Sequence, residues 1–244
     1  MSVHDVKLFG DQVAASRLET RFAALGAEPL LRLAIEHLYR GRIALVSSFG
    51  ADSAVLLHMV AQIDRNIPVI FVDTDRLFGE TLAYRDKLVA HLGLSNVQNH
   101  KPDAGAVAAN DAEGYLWFND PDRCCDMRKV QPLDRALEGY EAWITGRKRF
   151  QAQTRAALPL FEADGERVKL NPLAGWSATD VLDYIARHDL PRHSLVAKGY
   201  PSIGCLPCTS PVTEGEDPRA GRWRGRGKTE CGIHLGKLHA GMGI

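Results

Sequence analysis

The sequence predicts an α/β protein in which helices cover both faces of a doubly wound, mostly parallel sheet. Two short runs of apolar residues, Ile43–Val46 and Val69–Val72, have the composition of strands that are buried on both faces. A stretch with helical character follows each run, and this alternation is typical of parallel sheets. Both runs end in polar residues, at the sheet edge where such folds bind their ligands.

Taken in order, residues 18–39 are predicted to be helical, with a break near Gly26 and Pro29. The two strands above are each followed by a helix, at residues 54–63 and 78–92. The remaining predicted elements are a strand at 97–100, a helix at 125–137 with a potential break at Pro132, strands at 142–145 and 168–170, and a helix from the N-cap Ser177 to His188.

Composition indicates a soluble globular protein without an overall charge. Hydrophobic residues make up 45% and charged residues 25% of the 244 residues. Lys and Arg number 30, as do Asp and Glu, so no general field attracts nucleic acid or an acidic membrane. Any anion site must therefore be local, and we expect neither a nucleic-acid nor a membrane partner.

The cysteines are expected to be reduced, because residues 1–11 show no secretory signal and no apolar run is long enough to cross a bilayer. We therefore expect a cytoplasmic protein. Residues 211–230 are rich in Gly, Pro, Arg and Glu, which predicts a loop. The predicted division is an α/β domain at 1–210 and a mobile C-terminal arm at 211–244.

The segment 47–53 joins the first strand to a helix, where free backbone N–H groups and the helix dipole favour an anion. It lacks the Gly-Lys-Ser/Thr ending of a Walker A loop. An ordinary strand-to-helix turn is the alternative. Arginines also cluster after the strand at 142–145 and before Cys231, either as a solvated charge run or as phosphate or sulfate ligands.

Four of the five cysteines form two close pairs, Cys124 with Cys125 and Cys205 with Cys208. Four thiolates fit either zinc or a [4Fe–4S] cluster, and spacing alone does not separate the two. The alternative for Cys124 and Cys125 is that they are buried apolar side chains. The fifth, Cys231, stands near basic residues that would lower the pKa of a reactive thiol, although an incidental thiol is the common case.

Five motifs together resemble the thioredoxin-dependent assimilatory adenylyl-sulfate reductases, bacterial enzymes with an iron–sulfur cluster. They are Ser-Phe-Gly-Ala-Asp-Ser at 48–53, Cys-Cys-x-x-Arg-Lys-Val from Cys124, Trp-Ile-Thr-Gly-Arg from Trp143, Cys-x-x-Cys from Cys205, and Glu-Cys-Gly-Ile-His-Leu from Glu230. The match covers about residues 40–236. Related 3′-phosphoadenylyl-sulfate reductases share the loop and the ending but typically lack the cysteine pairs, so the resemblance implies a [4Fe–4S] cluster and adenosine 5′-phosphosulfate as substrate.

The resemblance also assigns roles by position. Cys231 would be the nucleophile, and Cys124, Cys125, Cys205 and Cys208 would ligate the cluster. The residues that would contact the substrate are Ser47, Ser48, Phe49, Gly50, Asp52, Ser53, Asp73, Thr74, Arg76, Leu77, Lys129, Arg147, Arg155, Arg219, Arg222 and His234. Two positions depart from the family patterns: Phe49 replaces the first Gly of Ser-Gly-Gly-x-Asp-Ser, and Asp75 replaces the Gly of Asp-Thr-Gly-Arg-Leu.

The implied reaction reduces adenosine 5′-phosphosulfate to sulfite and AMP through an S-sulfonated Cys231, which thioredoxin or glutaredoxin then reduces. Three alternatives stay open. The chain could prefer 3′-phosphoadenylyl sulfate or accept both nucleotides. It could be a tRNA-thiolating enzyme with a similar loop, or a non-enzymatic metal-binding module. Assembly into a homo-oligomer is compatible with the sequence.

Overall fold

The computed structural model describes residues 12–234, and they contain a six-stranded sheet. The strands are β1 (Ile43–Val46), β2 (Val69–Val72), β3 (Val97–His100), β4 (Ala142–Ile144), β5 (Phe161–Asp164) and β6 (Arg167–Leu170). Their order in the sheet is β3-β2-β1-β4-β6-β5. Every neighbouring pair is parallel except β5 and β6, which pair antiparallel at one edge. The predicted mostly parallel sheet is confirmed.

Helices account for most of the remaining regular structure. They are α1 (Gln12–Phe22), α2 (Ala27–Leu33), α3 (Ser53–Ala61), α4 (Gly79–Leu92), α5 (Ala104–Asn110), α6 (Leu116–Asn119), α7 (Pro121–Cys125), α8 (Gln131–Ala136) and α9 (Ala178–Arg187). At α9 the predicted N-cap is confirmed, because the Ser177 hydroxyl accepts the N–H of Asp180 at 3.1 Å.

Helices pack on both faces of the sheet, as predicted. Successive residues of a strand point to opposite faces, and the core divides accordingly. In β2, Val69 and Phe71 belong to the large cluster that contains α2, α3 and α9. Ile70, between them, belongs to a smaller cluster with Leu133 of α8.

The break predicted near Gly26 and Pro29 is confirmed, because α1 ends at Phe22 and α2 begins at Ala27. The potential break at Pro132 is wrong, because the helix continues through it. Pro29 lies in the first turn of α2, where a missing N–H costs nothing. Pro132 lies at the start of α8, directly after a π-type turn at Asp126–Val130 that continues α7. A π-type turn loosens the regular i→i−4 ladder, so proline fits there without ending the helix.

The edge strand β5 and the helices α5 and α6 are absent from the sequence-based prediction. Within the segment predicted as a loop, residues 211–230 contain no helix or strand but pack against the body of the protein, with Trp223 only 3% exposed. Residues 235–244 of the predicted arm lie outside the described residues, and its mobility stays a prediction.

Within residues 12–234, no helix is long and apolar enough to cross a membrane.

Candidate active site

The polar segments after β1 and β4 meet at the same edge of the sheet. Strands β1 and β4 are neighbours in the sheet, and the chain continues from β1 to β2 in one direction and from β4 to β6 in the other. A crevice therefore opens at the ends of β1 and β4, where α/β folds place ligands. A cavity occupies this position. Thirteen predicted site residues line it: Ser47, Ser48, Gly50, Asp52, Ser53, Leu77, Lys129, Arg147, Arg155, Arg219, Arg222, Cys231 and His234.

The loop between β1 and α3 forms one wall of the cavity. The Ser47 hydroxyl accepts the N–H of Phe49 at 3.2 Å and tightens the turn after the strand. Helix α3 begins at Ser53, so its N-terminus, the positive end of the helix dipole, lies at the cavity. This arrangement suits a bound anion.

Phe49 does not line the cavity but packs in the core below the loop. Its side chain is fully buried, and its ring meets that of Phe71 edge-on at 5.4 Å between centroids. Its φ is +48°, in the left-handed region that favours glycine. Phe49 therefore holds a backbone conformation that glycine adopts without strain, and burial of its ring offsets the cost.

Buried cations from the end of β4 form the opposite wall. Arg147 donates to Glu162 at 2.8 Å and to Asn171 at 3.1 Å. Lys148, 1% exposed, lies 3.2 Å from the carboxylate of Asp52 in the facing loop. Burial lowers the pKa of both cations, and the Glu162 and Asp52 carboxylates oppose that shift.

Glu230, from the C-terminal loop, forms a buried ion pair inside the cavity. Arg155 grips its carboxylate with two hydrogen bonds of 2.6 and 2.7 Å, and Arg219 lies 3.5 Å away. Burial raises the pKa of Glu230, but the hydrogen bonds and charge of Arg155 outweigh it and hold the pKa below its ordinary value. Burial, together with the charge of Arg155, lowers the pKa of Arg219 to about 10.

Cys231 lines the same cavity, beside Cys125 and Lys129. A hydrogen bond with the Cys125 thiol lowers the pKa of Cys231 well below its ordinary value, against the effect of burial and with support from the charge of Lys129. The same bond and burial raise the pKa of Cys125. Cys231 is thus placed as the thiolate of the pair, next to a cation.

His234 stacks on Trp143, with ring planes 9° apart and centroids 6.4 Å apart. Burial, and then the nearby charges of Arg147 and Lys169, lower the pKa of His234 well below its usual value. Its Nδ1 is buried without a hydrogen-bond partner among residues 12–234. A neutral imidazole therefore offers a polar atom to the cavity.

The four paired cysteines line one small pocket next to the cavity. Cys124 and Cys125 are buried, Cys205 and Cys208 are half-buried, and Lys129 lines both the pocket and the cavity. Burial, followed by the charge of Cys205, raises the pKa of Cys124 to about 11. As placed, no three potential ligands in the described part of the chain are close enough to hold a single metal ion.

The turn after β2 connects the pocket to the cavity. Leu77 lines the cavity, whereas Arg76 lines the cysteine pocket, and the Thr74 hydroxyl lies 3.2 Å from the Cys205 sulfur. Asp73 accepts the N–H of Asp75 at 3.0 Å and shapes the turn. Three predicted contact residues, Asp73, Thr74 and Arg76, therefore lie outside the cavity lining.

Asp75 occupies a left-handed position of this turn, with φ +56°. Aspartate tolerates this conformation better than most residues, and its carboxylate also accepts a 2.7 Å hydrogen bond from Lys101. As at Phe49, the backbone of a residue that replaces the family's glycine lies in the left-handed region that favours glycine.

Six polar lining residues are absent from the predicted site: Thr81, Thr145, Lys148, Gln151, Ser202 and Glu230. Three of them carry or pair with charge or bridge the two walls, namely Lys148, Gln151 and Glu230. Glu230 stands inside the terminal motif, directly before the cysteine, and this position is its signal. Lys148 belongs to the basic run after β4, but sequence alone could not show that Asp52 would face it. Gln151 has no motif and is brought to the site by a 3₁₀ turn at Arg149–Gln151.

Comparison with known proteins agrees with this geometry. The family model described as the phosphoadenosine phosphosulfate reductase domain matches residues 42–211. An adenosine 5′-phosphosulfate reductase from Mesorhizobium japonicum is 53% identical over 233 residues, covering 96% of this chain and 92% of the relative. A phosphoadenosine 5′-phosphosulfate reductase from Gloeobacter violaceus is 40% identical, covering 92% and 95% respectively.

A solved structure has the same fold. The phosphoadenylyl-sulfate reductase from Candida auris, crystallised as a phosphate complex, superposes with a TM-score of 0.70 at 27% identity. The match covers 83% of this chain and 98% of that one. The chain belongs to the phosphoadenosine phosphosulfate reductase family.

Proposed function

We propose that this protein is an adenosine 5′-phosphosulfate reductase, which forms sulfite and AMP with reduced thioredoxin or glutaredoxin as the electron donor. The observation that carries the proposal is the position of Cys231. This residue lines the same cavity as the loop after β1, Lys129 and several arginines. The name of the Mesorhizobium japonicum relative supports the same reaction.

In the first step, the Cys231 thiolate attacks the sulfur of the phosphosulfate. A sulfur–sulfur bond forms, the bond from sulfur to the phosphate oxygen breaks, and AMP leaves with that electron pair. The cation that faces the developing charge is Lys129, which lies between Cys231 and the cysteine pocket. The cysteine charges of Cys205 and Cys231 raise the pKa of Lys129 despite its burial, so it stays protonated.

In the second step, a thioredoxin thiolate attacks the Cys231 sulfur and expels sulfite. The mixed disulfide is resolved by the second thioredoxin thiol, which frees the Cys231 thiolate and leaves thioredoxin oxidised by two electrons. This step requires that Cys231 leave the cavity. The mobile arm predicted at residues 211–244 supplies that movement in the proposal.

The charge balance of the cavity favours adenosine 5′-phosphosulfate over its 3′-phosphorylated form. Lys148 is paired with Asp52, and Arg155 and Arg219 with Glu230. Lys129 and Arg222 have no carboxylate partner in the described residues, and two cations match the two charges of a phosphosulfate. A 3′-phosphate would add charge without an uncommitted cation.

Relative kcat/KM on the two nucleotides tests this preference. We expect at least about a tenfold advantage for adenosine 5′-phosphosulfate, since each tenfold corresponds to only about 1.4 kcal/mol. Equal values would favour a dual-substrate enzyme, a reading that the Gloeobacter violaceus relative keeps open. Loss of sulfite release in Cys231→Ser would exclude a non-enzymatic metal-binding module.

The proposed cofactor is one [4Fe–4S] cluster held by Cys124, Cys125, Cys205 and Cys208. The donor set fits, because all four cysteines line one pocket. A cubane takes one thiolate on each of its irons, so its ligands need not surround a single ion. The indole N–H of Trp223 is buried at this pocket without a partner in the described chain, as a donor to a sulfur atom would be.

When bound, the cluster would supply structural and electrostatic support rather than carry electrons. With Cys125 committed to iron, Lys129 and Arg222 would remain to stabilise the Cys231 thiolate. Iron and acid-labile sulfide analysis tests the assignment: we expect four of each per chain, and less in Cys208→Ser. One zinc per chain would overturn it. A cytoplasmic location follows from the need for reduced thiols.

A further inference from the structure

The segment 226–230, which leads into Cys231, is fastened to the body of the protein at three points. Arg226 donates to the carbonyl oxygens of Trp117 and Phe118 at 3.1 and 2.8 Å. Lys228 pairs with Asp122. Glu230 pairs with Arg155 through two hydrogen bonds of 2.6 and 2.7 Å.

These fastenings differ in burial. Asp122 is 78% exposed, and an ion pair at the surface is screened by water and salt. Glu230 and Arg155 are 8% and 9% exposed, so solvent screens their attraction far less. Separating them would also leave two buried charges without a partner, and an uncompensated buried charge strongly destabilises the folded state. The Glu230 contact is therefore the stronger of the two ion pairs.

The residue after Glu230 is Cys231, so the fastening fixes the thiol directly. Glu230 is held by the turn at Gln153–Arg155, whereas Cys231 lies against Cys125 and Lys129. The two neighbours thus bridge opposite parts of the cavity. If Glu230 moves, Cys231 cannot keep its place.

The same contact is also connected to the loop after β1. Arg155 donates from Nη1 to Gln151 at 2.7 Å, and Gln151 donates to Asp52 at 3.3 Å. Asp52 belongs to the loop that faces the proposed phosphosulfate. Hydrogen bonds therefore run without a gap from the residue before the thiol to the substrate loop.

We propose that Glu230 is a positioning residue that keeps Cys231 in the cavity through its ion pair with Arg155, and that Cys231 leaves the cavity when this pair separates. For the role of Cys231, the inference rests on the proposed function. The carboxylate itself touches neither the substrate nor the reacting sulfur in this proposal. In this proposal, the Glu230 carboxylate sets the fraction of molecules in which the Cys231 thiol lies in the cavity.

The test compares Glu230→Gln and Glu230→Asp with the wild-type holoenzyme. Gln keeps the shape and removes the charge, and Asp keeps the charge on a shorter side chain. Peptide-resolved alkylation of Cys231 by iodoacetamide measures exposure of the thiol without substrate. The reaction is run at about pH 9.5, above the ordinary pKa of a free thiol, so that its rate reports access rather than ionisation.

We expect Cys231 in Glu230→Gln to be alkylated about tenfold faster, with Asp intermediate. We expect kcat to fall only in proportion to the loss of molecules in which Cys231 lies in the cavity. Binding of AMP should be unchanged or tighter, because Arg155 and Arg219 lose a competing anion. The matched control is Glu216→Gln, which removes the same charge from an exposed pair with Arg224 in the same loop. It should behave like the wild type.

Unchanged alkylation of Cys231 in Glu230→Gln would overturn the inference. So would a parallel loss of AMP affinity and of the unfolding transition, because those changes indicate general damage to the site. Alkylation and AMP binding need no turnover, so they separate this inference from the proposed function. A wild type that forms no adduct with adenosine 5′-phosphosulfate would contradict only the latter.

Discussion

Replacing Phe49 by alanine and by glycine, in separate variants, tests whether the backbone of the substrate loop is strained at this position. Phe49 is fully buried, so removing its ring should cost about 3–5 kcal/mol in either variant. Alanine keeps the cost of about 1–2 kcal/mol for a left-handed residue at φ +48°. Glycine removes that strain but adds about 0.5–1 kcal/mol of chain entropy.

The net expectation is that Phe49→Gly is more stable than Phe49→Ala by about 0.5–1 kcal/mol. Phe71 is the matched control. It is equally buried, its ring contacts the ring of Phe49, and it lies in the extended strand β2. There the order reverses, and glycine should be worse than alanine by about 0.5–1 kcal/mol. Urea unfolding with a common m-value measures all four variants. If glycine is the worse substitution at both positions, the strain argument fails.

Three further predictions concern other parts of the chain. A Cβ on Gly221 would clash with the carbonyl oxygen of Ser210, so Gly221→Ala should lower stability by about 1–3 kcal/mol; an unchanged Tm would contradict this. Burial lowers the pKa of His193 below 6.5, so as the pH falls below that value the unfolded chain takes up a proton that the folded chain does not, and stability is lost. His193→Gln should flatten the dependence of urea-derived stability on pH below about pH 6.5 by up to about 1.4 kcal/mol per pH unit, and an identical slope would refute it. Asp75→Gly should change stability by less than about 1 kcal/mol, since the lost exposed pair with Lys101 is weak and glycine suits φ +56°; a larger loss in thermal unfolding would disprove that balance.

Much of the fold was predictable because its signals are local. The apolar runs of β1 and β2 and the capping residue Ser177 each act within a few residues, and all are confirmed. The edge strand β5 was not predictable in this way. Only its first residue, Phe161, is fully buried, so the strand lacks the continuous apolar run that marks a central strand.

The candidate site was predictable only as far as motifs extend. The thirteen lining residues named from the sequence lie in or beside recognisable patterns. The partners of those residues depend on folding: Asp52 meets Lys148, and Arg155 meets Glu230, across 96 and 75 positions of the chain. Phe49 shows a second limit. The loop motif predicted Phe49 as a substrate contact, but the motif does not show that its side chain points into the core instead of the cavity.

The central claim is that Cys231 accepts the sulfonate group from adenosine 5′-phosphosulfate. The direct measurement is peptide mass spectrometry of the enzyme after mixing with this nucleotide in the absence of reductant. The proposal predicts a sulfonate adduct on Cys231, AMP released in equal amount, and loss of the adduct as sulfite when reduced thioredoxin is added. Sulfite formation without an adduct, or an adduct on another cysteine, would contradict it.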